Sequence, residues 1–169
     1  MSMIDLNTVL PSLISELIDS KIIFGLLYSM ILGVPRLFNI IFSHFLSYIK
    51  YKKKILIIGI YLRAFSFLGM ALTTYYYGKD NPGIVIIFFF IWIFMFSISG
   101  GFASLSYNEI IGKLTTKGQR EKIFASKQFV ASIMAFLGGL IVKYIFSPGK
   151  YPFPNNYSIL LSIGFIGLI

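Results

Sequence analysis

Ile84-Val85-Ile86-Ile87-Phe88-Phe89-Phe90-Ile91-Trp92-Ile93-Phe94-Met95-Phe96 decides the fold. A run apolar on every side has no face for water, so it belongs in a large core or a bilayer. Apolar character continues to about residue 111, beyond the ~20 residues that cross a hydrocarbon core of ~30 Å. Working outward, similar runs occupy about 22–49, 55–77 and 123–146, and a shorter one occupies 157–169. The expected fold class is all-α, a polytopic membrane bundle of about five hydrophobic helices with the last one truncated. The 13 residues of that last run extend only ~20 Å as a helix, short of the ~30 Å required.

Composition agrees. Of 169 residues, 57% are hydrophobic and 12% charged, and mean hydropathy is +0.83. Soluble domains usually carry about 25% charged residues, so 12% is too little to coat a globule. The net charge of +9 does not imply nucleic acid, because the bases cluster in short connectors between apolar runs. Cysteine is absent, which excludes disulfide and thiolate chemistry. No cleavable signal is evident in residues 1–21, which lack a basic start and contain Asp5, Glu16 and Asp19. That segment reads as an external amphipathic or loop region preceding a transmembrane domain of 22–169. Its apolar positions recur at helical spacing, and Pro11 interrupts them.

The 22–49 helix would measure roughly 42 Å, so it should tilt or kink. Pro35 supplies a kink near its middle by removing one helical hydrogen bond. Asp19 or Ser20 can cap its start. Counting bases by side sets the orientation. Lys50, Lys52, Lys53, Lys54, Lys113, Lys117, Arg120, Lys122 and Lys127 share one side, against Lys21, Lys79, Lys143 and Lys150 on the other. The richer side should be cytoplasmic. The chain is therefore expected to be a multi-pass protein of the cell membrane, with its 50–54 and 112–122 loops inside. An external start without a signal implies a missing preceding helix.

Four stretches carry a family likeness: Val9-Leu10-Pro11 followed by Ile22-Ile23-Phe24-Gly25-Leu26; the basic turn at 50–54; Gly100-Gly101-Phe102-Ala103 through Tyr107-Asn108-Glu109-Ile110-Ile111-Gly112-Lys113; and Gln119-Arg120-Glu121-Lys122-Ile123-Phe124-Ala125 with Lys127-Gln128. Together they resemble the N-terminal half of a major facilitator superfamily transporter, lacking its first helix. The resemblance implies a secondary transporter that moves a small, unidentified solute by alternating access. It also implies a fragment or split half not competent alone, whose partners are the lipid bilayer and a second polypeptide carrying the remaining helices. Lys50, Lys52, Lys53 and Lys54 would stand at the family's cytoplasmic signature loop. That loop typically opens with Gly and carries an Asp four residues later, where this chain has Ser43 and Ser47.

Arg36 and Arg63 fall deep inside apolar runs. An intramembrane charge costs at least ~2.5–3.5 kcal/mol and normally faces a bundle interior or watery cavity. Both are candidates for a substrate pathway attracting an anion, or for structural pairing and snorkelling. Glu109 is either a proton-coupling carboxylate or partner of Arg63, or an interfacial acid paired with Lys113 four residues on. Gly100 with Ser104, and Ala131, Ala135 and Gly139, are spaced by four and read as helix-packing stripes. His44 has no companion at metal spacing, so neither metal nor cofactor is expected. No nucleophile elbow, phosphate loop or zinc motif is present, and an enzyme is not expected. The rival to a transporter is a small multi-span structural or assembly subunit of a membrane complex.

Overall fold

The computed structural model describes residues 6–18, 20–49 and 51–169, and every regular element among them is a helix. These are α1 (Leu6–Leu17), α2 (Lys21–Tyr48), α3 (Lys52–Tyr77), α4 (Pro82–Leu114), α5 (Lys117–Ile145) and α6 (Asn155–Ile166). Four helices, α2 to α5, are long and apolar enough to cross a membrane. The fifth expected span, α6, has 12 residues. It closes at Ile166, where the Gly167 N–H donates to the Ile163 carbonyl.

Two basic connectors expected as loops are helical. α3 starts at Lys52 and α5 at Lys117. Lysine is a good helix former, and no Gly or Pro separates Lys52 from Ile55. Between α4 and α5 only Thr115 and Thr116 break the helix. Thr116 and Gln119 form a capping box, with the Thr116 N–H donating to Gln119 Oε1 at 3.0 Å, so each satisfies donors the other exposes. At the start of α2, Ser20 Oγ lies 3.5 Å from the Ile23 N–H; Asp19, the other expected cap, lies outside the described residues. Asn81 precedes Pro82, whose missing N–H suits the first helical position. Gly149 turns the α5–α6 loop at φ 80°, a conformation that strains residues with a Cβ.

α4 is the central post. α2 and α3 pack against it along much of their length, α6 lies on α3, and α1 caps α2 and α4. α5 stands almost apart, touching mainly α6, and buries only Ala131, Gly138 and Ile145. The large side chains of the core gather at one end. Leu10, Leu13, Ile14, Leu27, Phe67, Met70, Phe89, Ile93, Leu160 and Leu161 are all nearly inaccessible. Two hydrogen bonds pin α6 there. Ser158 Oγ donates to the Ala71 carbonyl at 2.9 Å, and Tyr157 shares a 2.6 Å bond with Ser12 of α1.

At the other end, where the α2–α3 and α4–α5 turns meet, small residues replace large ones. A Cβ on Gly59 would sit 3.2 Å from the Ser99 carbonyl oxygen and the Ala103 methyl. Backbones that approach this closely gain dispersion without needing water exclusion, which is the packing a bilayer favours.

At Gly69 an added Cβ would collide with the Trp92 indole. That ring is held by Nε1 donating to Thr73 Oγ1 at 3.2 Å. Gly69→Ala should destabilise the bundle by about 1–3 kcal/mol through overpacking, despite the better helix propensity of alanine. Gly139 has nothing within 4 Å of its added Cβ, so Gly139→Ala should leave stability unchanged or raise it. Reversible denaturation in mixed micelles checks the pair; equal effects would contradict the packing described.

Candidate functional site

α2 presents a face that no described helix covers. Ile22, Gly25, Ser29, Leu32, Arg36, Ile40 and Ser43 recur at helical spacing, and all are exposed. Gly25 and Gly33 have no atom within 4 Å of an added Cβ. Ser29 and Ser43 turn their hydroxyls back to the carbonyls of Leu26 and Ile40 at 2.8 Å. This lets a serine sit on a helix without seeking an outside partner. Arg36 has no such local remedy. Sixteenth of the 28 residues of α2, it stands at the middle of the helix, among Leu37 and Ile40, which are 62% and 73% exposed.

The opposite side of α2 meets α4 at the same depth. Gly101 opens the space, since a Cβ there would lie 3.1 Å from Asn39 Oδ1 and 3.4 Å from the Pro35 carbonyl. Pro35 also leaves the Ile31 carbonyl without its helical donor. Asn39 Oδ1 and Ser97 Oγ are buried without a hydrogen-bond partner. Aromatic contacts flank this seam: Phe38 against Phe94 at 6.0 Å, and Phe42 against Phe102 at 4.0 Å.

Arg63 approaches α4 from α3. Its guanidinium lies 4.3 Å from the centre of the Phe96 ring and 3.5 Å from where a Cβ on Gly100 would stand. The absence of that side chain admits the guanidinium between the helices, and the ring face attracts it. Because α3 begins at Lys52, Arg63 is 11 residues in, ~16 Å from the helix start. It is therefore deeper than a start at residue 55 implies.

The structure brings Arg63 and Gly100 together. Glu109 instead pairs with Lys52, joining the start of α3 to the end of α4. Lys53 and Lys54 are exposed, with Lys54 5.3 Å from the Tyr51 ring centre; Lys50 lies outside the described residues. Of the expected packing positions, Ala131 is buried, whereas Ser104, Ala135 and Gly139 are exposed. The contact to α2 uses Gly101, one position on from Gly100 and so rotated by about 100°. Ser97, four residues before Gly101, shows the spacing that marks this face, and sequence reasoning passed over it. Asn39 carried no signal beyond its place in an apolar run.

Elsewhere, a cleft with room for about 220 Å³ lies between α1, α5 and α6, lined by Val9, Ser12, Val142, Phe146, Tyr157 and Leu160. Its only polar feature is the Ser12–Tyr157 hydroxyl pair. Among the described residues no group of three or more acids and histidines could hold a metal.

Lys52 and Glu109 are only 12% and 34% exposed, so removing one partner strands the other in a poorly solvated place. Glu109→Gln and Lys52→Met should each lower the melting temperature, and the double variant should lose less than the sum. A double-mutant cycle checks this; strict additivity would show that the pair contributes nothing.

Comparison with protein families, curated proteins and solved structures returns no match to this chain.

Proposed function

We propose that this chain is part of a membrane transporter of the major facilitator type, working with further helices supplied by another polypeptide. The observation that carries the reading is Arg36. A guanidinium at mid-membrane costs several kcal/mol against lipid, and such residues face a bundle interior or a watery cavity. In this chain Arg36 is exposed on an uncovered face of α2. The consistent arrangement has that face lining a water-filled path at a joint with helices not contained here.

In this reading the cationic Arg36 attracts a small anionic solute into the path. Arg63 lies against Phe96 and Gly100 and holds positive potential at the same depth. Pro35 gives α2 a point of bending beside the site, since the lost hydrogen bond lowers the cost of a hinge there. The basic end of the bundle is placed in the cytoplasm, by the bias of Lys and Arg toward that side.

A second reading, an assembly subunit of a membrane complex, draws on α5. Only three of its 29 residues are buried, so a lateral neighbour would have a whole helix to meet.

Solubilised from its native membrane in mild detergent, the chain should co-purify with a second polytopic polypeptide. The reconstituted pair should take up small organic anions, and Arg36→Gln should cut that uptake by about tenfold or more, the scale of one lost charge-assisted contact. Uptake by the chain alone, or equal losses for anions and cations, would count against the proposal. Co-purification with unrelated subunits and no uptake would favour the second reading.

A further inference from the structure

The bundle has one strongly charged surface. Lys52, Lys53 and Lys54 open α3, Lys113 sits in the last turn of α4, and Lys117, Arg120, Lys122 and Lys127 follow in the first half of α5. These positions converge. Lys52 pairs with Glu109 of α4. Arg120 Nη2 donates to the Gly112 carbonyl at 3.1 Å, and Lys127 Nζ lies 4.3 Å from the Tyr107 ring centre. Three helix ends therefore present eight bases on one surface, where Glu109 and Glu121 are the acids.

The chain neutralises little of this charge itself. Lys53, Lys117 and Lys122 are exposed and make no ion pair with a described residue. Neither α3 nor α5 carries an acid in its first turn. Cations at a helix start oppose the helix dipole, so apart from the Lys52–Glu109 pair the arrangement lacks ion-pair compensation among the described residues. The depth is equally informative. Lys54 directly precedes the apolar run from Ile55, and Lys122 precedes Ile123-Phe124. These ammonium groups stand at the edge of the hydrocarbon, where lipid phosphates lie and where long lysine stems can reach them.

We propose that this end of the bundle binds anionic phospholipid headgroups of its own leaflet, with Lys53, Lys54, Lys117 and Lys122 as the contacting cations. The surface needs only that the helices cross the bilayer, and it is independent of any transport activity. The opposite end does not match it. Lys21, Lys79, Lys143 and Lys150 are spread over four separate elements and loops beside Glu16 and Asp80. Lys150 lies over the Tyr144 ring, 3.1 Å from its centre.

The test uses the full chain in nanodiscs of phosphatidylcholine mixed with phosphatidylglycerol. Association of spin-labelled forms of each lipid is read by electron paramagnetic resonance. The wild type should prefer phosphatidylglycerol, and added salt should weaken the preference by screening. K53Q/K54Q/K122Q should reduce it by about fivefold or more, the scale set by one lysine at an anionic surface. K53R/K54R/K122R should retain it, which separates charge from folding. K79Q/K150Q at the other end should leave it intact. No preference in the wild type, an unchanged preference in K53Q/K54Q/K122Q, or an equal loss in K79Q/K150Q would overturn the proposal. So would capture of RNA by the same lysines without any lipid preference.

Discussion

The closeness with which α2 and α3 approach α4 is the constraint on which the rest of the bundle depends. Lipid tails are as apolar as leucine, so helices in a bilayer gain little from hiding apolar surface from water. Association must come from contact and hydrogen bonding. Gly59 against Ser99 and Ala103, and Gly101 against Pro35 and Asn39, provide that contact. A side chain at either glycine would meet backbone carbonyl or polar atoms within 3.4 Å. At the opposite end, large buried residues such as Phe67 and Phe89 fill the core instead. Gly69 and Gly164 accommodate the Trp92 and Phe67 rings there.

That small-residue approach also explains where polar groups can persist at mid-membrane. Arg63 enters the α3–α4 boundary because Gly100 has no side chain to exclude it, and Phe96 supplies a ring face. Asn39 reaches α4 because Gly101 leaves room. The two arginines, alike in a hydropathy trace, thus occupy different physical situations. One is sheltered between packed helices, and the other stands on a face that no described helix covers.

The charged ends follow a different logic. Lys52 is held by Glu109, whereas most bases near it face outward. Helix starts at Lys52 and Lys117 run through the basic segments, because lysine propagates a helix as readily as most residues. The charges therefore lie on rigid turns at fixed positions rather than in loose connectors. α5 gains its start from the Thr116–Gln119 capping box, a local device that needs no tertiary support.

The sequence by itself determined that this chain is a multi-helix membrane protein. Runs such as 84–96 are apolar on every side, and hydropathy acts locally, so spans, turns and the segregation of bases are legible residue by residue. Helix ends were less legible, since lysine runs read as loops by charge are helical by propensity. The candidate site was legible as residue types at depth, Arg36, Arg63 and Glu109, but not as an arrangement. Only the tertiary structure decided that Glu109 meets Lys52, that Arg63 meets Gly100 and Phe96, and that Arg36 is left exposed. Facing is set by which helices pack together, a non-local outcome. In all-round apolar helices the one-sided pattern that would announce it is missing, and a one-residue shift from Gly100 to Gly101 turns the contact by about 100°.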